Sequence, residues 1–411
     1  MNYQIEDVFS PRSFPQNTYI SRKLDDGETV DDRLKRALSM KGNLIFVTGA
    51  SKSGKTVLCH NVISSESYIA LSGNQISTKA DFWNHIAEQL PLSDAVVLTT
   101  GEQNSNNKAS QAELKLNLGI ASLGASINSN TGNNMNQQLA MTNNRTERQI
   151  IRYLIDNNKV LVLDDFHYIA ADMQMYIART LKTELFNGLK AVIISLPHRS
   201  DEAIICNPDL IGRTTSIEIL PWSAEELRAI AVKGFALLGL QIGEAEEHLL
   251  AQESIASPQL MQENCFQLAF ASVQKQLAIQ PDLVRYAFRQ TARNYAHYER
   301  LVQAIRQGPA QGIGRRKSYL LQDGAVDIYQ LLLLALKADP PVTELSLTAL
   351  KERLRQLLYT QATPSSSVIS AALNKIIKIV AELMPDLDAL EYKNQCLYIL
   401  DPFLLFYLRW K

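Results

Sequence analysis

The sequence predicts an α/β fold: a parallel sheet wound with helices on both faces, followed by further helices and a small domain bearing a wing. Three observations predict it. Five short apolar runs alternate with amphipathic stretches over residues 1–222. The first run, "NLIFVT" (43–48), leads through the glycine-bearing "GASKSGKT" (49–56) into "KTVLCHNVI" (55–63), which has the character of a helix. A later run, "KVLVLDDFHYI" (159–169), passes from apolar residues directly into two acids.

The remaining elements follow in order. A helix is expected over "ETVDDRLKRALSMKG", ending at Gly42. "SYIAL" (67–71) is a second strand and "TKADFWNHIAEQL" (78–90) an amphipathic helix. Composition then changes, with eleven asparagines and no aromatic residue from Leu98 to Asn144. This insert (98–144) reads as a flexible segment, within which "AELKLNLGIASLGASIN" (112–128) alternates like a hairpin. Helical pattern resumes at 147–158, and "AVIISLPHR" (191–199) and "TSIEIL" (215–220) supply two more strands. Order alone does not say which strand lies between the glycine-loop strand and the Asp-Asp strand. The small apolar "AVIIS" with its polar end is the usual neighbour of such a pair.

Composition narrows the chemistry. The chain has 411 residues, 46% of them hydrophobic, which suits two or three domains. Its formal charge of −1 creates no global field toward nucleic acid or membrane. Cys59, Cys206, Cys265 and Cys396 are scattered without zinc or dithiol spacing, as expected of small apolar residues in a reducing cytoplasm. No secretory leader and no membrane-length apolar run is expected. Six separate histidines and the lack of a Gly-x-Ser-x-Gly elbow leave little for metalloprotease or serine-hydrolase readings.

Two motifs carry chemistry. Gly49, Ala50, Ser51, Lys52, Ser53, Gly54, Lys55 and Thr56 have the spacing of a phosphate-binding loop. Glycines let the backbone N–H groups converge on phosphate oxygens, Lys55 reaches the β- and γ-phosphates, and the Thr56 hydroxyl suits Mg²⁺. Asp164, at the carboxyl end of its strand, is placed to hold Mg²⁺ through water, and Asp165 to polarise an attacking water. ATP and Mg²⁺ are therefore the expected cofactors.

The phosphate loop and "LVLDDFH" together resemble the P-loop ATPases of the AAA+ and STAND groups, which include replication-initiator and transposition-helper ATPases. Motif order carries the likeness over residues 20–290. It implies a helical lid (223–307), a basic linker (308–320) and a winged-helix domain (321–411) after the sheet. It also implies site residues. Ser195 matches the polar residue that orients water near the γ-phosphate, against a reading as a strand-end cap. Arg199 matches a phosphate-sensing arginine, against a surface one. Arg213 matches the arginine finger offered to a neighbouring subunit, against a structural or solvated charge. In "SPQLMQENCFQLAFAS" (257–272) the family's lid arginine is replaced by Gln259, which implies weak or partner-dependent hydrolysis.

Downstream, nine basic residues face two acids between Lys275 and Lys317. Arg285, Arg289 and Arg293 recur every four residues on one helix face with Tyr286 and Phe288 beside them, and Arg315, Arg316 and Lys317 add charge. The face suits DNA or an acidic partner, or is a solvated helix surface. Helical stretches at 325–338, 346–358 and 366–383 precede the wing "LEYKNQCLYIL" (390–400) and "DPFLLFYLRW". The third stretch has two lysines, which favours a structural or protein-docking wing over DNA contact. Two functions are expected. One is a homo-oligomeric ATPase remodelling a DNA- or protein-bound complex, with mobile-element or phage-defence biology as its setting. The other is a slow nucleotide switch that signals to a protein partner.

Overall fold

The computed structural model describes residues 3–24, 26–91, 147–196, 213–309, 316–322, 324–359, 362–385, 387 and 389–411. The insert at 98–144, its expected hairpin at 112–128, Arg199 and Arg315 lie outside the described residues. No helix among the described residues is long and apolar enough to cross a membrane.

After a one-turn helix α1 (Ile5–Val8) and an extended arm, α2 (Val30–Ser39) begins at Thr29, whose hydroxyl accepts from Asp32 N. It stops three residues short of the expected Gly42. The sheet comprises β1 (Leu44–Gly49), β2 (Tyr68–Ser72), β3 (Val160–Asp164), β4 (Lys190–Ser195) and β5 (Thr214–Ile219), all parallel in the order β2-β3-β4-β1-β5. Between them run α3 (Lys55–Val62), α4 (Lys79–Glu88), α5 (Glu147–Asp156) and α6 (Ala171–Phe186). "AVIIS" is indeed the strand between β1 and β3.

Strand alternation builds two cores. Phe46, Leu163 and Ile193 point to the side covered by Phe82 and Trp83 of α4, Leu154 of α5 and Ile177 of α6. Val47, Val162 and Ile194 point to the other, against Leu34 of α2 and Leu58 of α3. The register pairs Thr48 with Ser195 and Ser72 with Asp164, so the carboxyl ends of four strands are flush. That edge carries the site.

The chain continues through α7 (Ala224–Leu238), α8 (Glu244–Glu253), α9 (Pro258–Lys275), α10 (Pro281–Asn294) and α11 (Glu299–Gln307). An unforeseen hairpin, β6 (Tyr319–Leu321) with β7 (Gly324–Val326), occupies part of the expected linker and first winged-helix stretch. Then come α12 (Ile328–Lys337), β8 (Glu344–Ser346), α13 (Leu347–Leu357), α14 (Ser366–Leu383), β9 (Leu390–Lys393), β10 (Cys396–Ile399) and α15 (Pro402–Trp410). Helix, strand, two helices and a hairpin, with the sheet ordered β8-β10-β9, make a winged helix.

One apolar core runs from α7–α11 into this winged helix, with Leu268, Phe288, Leu332, Leu373 and Phe406 all buried. Its polar clasp is a buried ion pair. Arg409 on α15 gives two hydrogen bonds, of 2.9 and 2.6 Å, to the Glu253 carboxylate on α8, and the Trp410 indole donates to the same group at 2.6 Å. The two charged side chains are only 9% and 4% exposed. Glu253→Ala leaves the guanidinium buried, half-paired with Asp339, and is expected to lower unfolding stability by about 3 kcal/mol or more. Chemical denaturation of both proteins measures this. A loss below about 1 kcal/mol removes the clasp from the account.

Candidate functional site

The phosphate loop leaves β1 at its carboxyl end and turns into α3 at Gly54, whose φ of 96° is costly for any residue with a Cβ. Lys55 is buried, and its ammonium donates to the carbonyls of Gly49 at 2.9 Å and Ala50 at 2.7 Å. Burial lowers its pKa to about 8, against the opposing pull of Asp164 and then Asp165. The Ser53 hydroxyl is buried without a hydrogen-bond partner. An orphaned hydroxyl and a buried ammonium held by loop carbonyls suit an anion that supplies oxygen acceptors.

Opposite the loop, Thr56 Oγ1 donates to Asp164 Oδ2 at 2.5 Å. A hydroxyl and a carboxylate converging beside a phosphate loop are hard oxygen donors of the kind Mg²⁺ takes. Burial raises the Asp164 pKa, the Thr56 hydrogen bond opposes this, and the Asp165 charge adds to it. The Asp164 carboxylate also accepts from Asp165 N at 2.9 Å. Asp165 takes a left-handed φ of 55° and opens a short 3₁₀ turn, Phe166–Tyr168. That turn packs against Gly73, where a Cβ would fall 2.2 Å from the Asp165 carbonyl oxygen. Gly73 is thus a site-shaping residue that only a contact distant in sequence reveals.

Ser51, Lys52, Ser53, Gly54, Lys55, Thr56, Asp164 and Asp165 share the wall of one cleft of about 820 Å³. That volume is in the range of small-molecule sites. Three further walls close it: the arm Ser10–Ile20, the start of α9 at Pro258, and Leu400 and Asp401 of the winged helix. Trp222, after β5, also lines the cleft and steadies the loop. Its indole donates to the Ser53 carbonyl at 2.8 Å, and the Arg22 guanidinium lies 4.8 Å from its ring centroid. Arg22 is itself bound to Glu226 at 2.8 and 3.0 Å. Neither residue belongs to a sequence motif of the loop.

The other expected residues separate. Ser195 is not brought into the cleft. It is 1% exposed, and its hydroxyl makes only a long 3.4 Å contact with the Leu196 carbonyl. Alternation along β4 sends its side chain the same way as those of Ala191 and Ile193, toward the helical layer. Arg213 precedes β5, and its carbonyl accepts from Leu44 N at the sheet's amino edge. Five residue steps of strand, about 17 Å, therefore divide it from its own phosphate loop. It is exposed there, with its guanidinium 5.9 Å from the ring centroid of Phe186.

Arg285, Arg289 and Arg293 do share an exposed face of α10. Phe288 does not join them. It is fully buried against Trp410, 4.6 Å between centroids, because one residue along a helix is a turn of 100°. Arg316 is also removed from that face. Its guanidinium donates to Asp327 at 2.6 Å and to the Gln307 carbonyl at 2.5 Å, and lies 4.8 Å from the Tyr329 ring centroid. Lys317 is exposed.

No protein-family model matches the chain, and no curated protein is significantly similar in sequence. Among solved structures, it is similar to the ORC2 protein of Aeropyrum pernix at 13% identity, covering 98% of this chain and 97% of that one, with a TM-score of 0.48. A Walker-type ATPase of Pyrococcus abyssi gives 11% identity, 92% and 94% coverage and a TM-score of 0.47. The Thermotoga maritima RuvB Holliday junction branch migration motor gives 13%, 90% of each chain and 0.40. By its own strand order and loop, the chain has a phosphate-loop α/β fold, a five-stranded parallel sheet with helices on both faces, followed by a C-terminal winged helix.

Proposed function

We propose that the chain binds ATP with Mg²⁺ and hydrolyses it, as a homo-oligomeric ATPase acting on a DNA- or protein-bound complex. The convergence of Lys55, Thr56 and Asp164 on one side of the phosphate loop carries this reading. Loop N–H groups and Lys55 take the β- and γ-phosphates, while apolar Ile20, Val30, Leu58 and Ile230 offer a place for the base. Thr56 and Asp164 would hold Mg²⁺, whose charge offsets that of the phosphates. Asp165 is the base beside the attacking water.

Arg213 fits a finger in trans, since its own loop is out of its reach. The face of Arg285, Arg289 and Arg293 fits phosphates of DNA, with slight sequence preference. The slow-switch reading draws support from Gln259 at the lid position and from Ser195 buried outside the cleft. A role in phage defence or mobile-element biology remains part of the proposal, with no residue of its own.

The test measures particle size and ATP turnover with ATP or ADP, with and without DNA, across salt concentrations. The ATPase reading expects sustained turnover stimulated by DNA. Replacing the three arginines should then flatten the dependence of log affinity on log salt by about three units. A single slow turnover with nucleotide-dependent size moves the assignment to the switch. Nucleotide effects on neither size nor turnover overturn both.

A further inference from the structure

The cleft runs along α3. Its wall takes in Gly54, Lys55, Thr56, Leu58 and His60 in turn, so the phosphate loop forms one end of it. Toward the far end of the helix stands Asn61, whose amide donates to Asp31 Oδ1 on α2 at 2.7 Å. Six residues of helix separate Asn61 from Lys55, about 9 Å along the axis. Asp31 and Tyr19 line the same cleft, and the Tyr19 hydroxyl donates to that Asp31 oxygen at 2.8 Å. Tyr19 therefore stands at the end of the cleft away from the phosphate loop.

The ring of Tyr19 is tied at both ends. Its backbone follows Thr18, which is 1% exposed and whose hydroxyl donates to the Val8 carbonyl at 2.8 Å. The same hydroxyl accepts from Gln262 at 2.8 Å. At the other end the phenol is fixed on Asp31, a buried carboxylate that also accepts from Ser21 at 2.6 Å. Burial first, then the Asp31 hydrogen bond, raise the phenol's pKa well above its usual value, so the hydroxyl stays a donor. The Phe14 ring, also in the cleft wall, lies 6.0 Å from the Tyr19 ring between centroids, with planes 22° apart. Ile20, Val30, Leu58 and Ile230 complete an apolar end, in which Tyr19 is half-buried.

We propose that Tyr19 is the stacking wall for the nucleobase, positioned by Asp31, and that the site takes purine nucleotides in preference to pyrimidine ones. This rests on the nucleotide reading above and names its base subsite. An aromatic ring offers a π-face to any base, but a purine lays two fused rings on it and a pyrimidine one. Because Tyr19 is ordered before the base arrives, little side-chain freedom is lost on binding. The phosphates make no use of it, being held at the other end of α3.

Calorimetric titration of the full chain with Mg²⁺ and ATP, CTP or inorganic tripolyphosphate tests this, in the unmutated protein, Tyr19→Phe and Tyr19→Leu. The unmutated chain should bind ATP about tenfold more tightly than tripolyphosphate, with CTP between them. Tyr19→Leu should weaken ATP about tenfold, erase its advantage over CTP and change tripolyphosphate less than about twofold. Tyr19→Phe keeps the ring and should weaken ATP less than about threefold. Equal losses of ATP and tripolyphosphate in Tyr19→Leu, or no loss of ATP, overturn the stacking assignment and leave the phosphate site standing. ATP no tighter than tripolyphosphate in the unmutated chain does the same, whether or not the variants fold. Binding of none of the three overturns the site itself, and this proposal with it.

Discussion

Asp164→Ala is expected to reduce Mg²⁺-dependent ATP turnover by about a hundredfold to a thousandfold, which is roughly 3–4 kcal/mol of barrier. The carboxylate closes β3 at the sheet edge and meets the Thr56 hydroxyl at 2.5 Å, so its loss leaves one hard oxygen donor where two converge. Nucleotide binding should suffer less, because the loop amides and Lys55 are untouched. Asp165 loses only the acceptor of its backbone N–H. Steady-state rates with a parallel binding titration separate these effects. Unchanged turnover in Asp164→Ala would remove the carboxylate from the reaction.

Much of this site was legible because its chemistry dictates residue types at fixed spacing. A loop that curls amides around phosphate needs Gly54 and Lys55 where they stand, and β3 ends in acids where the parallel sheet exposes its carboxyl edge. The basic face of α10 was legible from spacing alone, since residues four apart lie on one side of a helix. Spacing also held the answer for Phe288, whose one-residue offset turns it inward. Ser195 was misplaced for a different reason. The resemblance assigned it a role, but alternation along β4 placed its side chain inside.

The rest depended on contacts that local pattern does not encode. Gly73 looks like an ordinary turn glycine until the Asp165 carbonyl is found against it. Arg316 sits in a basic run that reads as linker, and its partner Asp327 follows a hairpin later. The arm Ser10–Ile20 has no periodicity, and one of its ties is to Gln262, which accepts from Ser10 N 252 residues earlier. Long-range polar clasps of this kind leave no trace in hydrophobic period.

The second large effect concerns Lys55. Burial places its folded pKa at about 8, below the 10.5 of a free lysine. The unfolded chain therefore holds this proton more tightly, and the buried charge costs stability below about pH 8. That cost fades as pH rises from about 8 toward the unfolded value, so the Lys55 contribution to stability grows over that window. Nucleotide binding has the opposite sign. A polyphosphate favours the charged ammonium, so binding above about pH 8 takes up a proton and affinity falls as pH rises further. Lys55→Ala lowers the affinity and abolishes this pH dependence.

Titration of Mg-ATP into the unmutated protein and into Lys55→Ala, at pH 7 and pH 9, tests the nucleotide site most directly. The account predicts saturable binding of one ATP per chain, weaker at pH 9. In Lys55→Ala affinity should drop by about tenfold to a hundredfold, with no Lys55-linked weakening at the higher pH. Equal affinity in the two proteins, or no saturable binding in either, would contradict it.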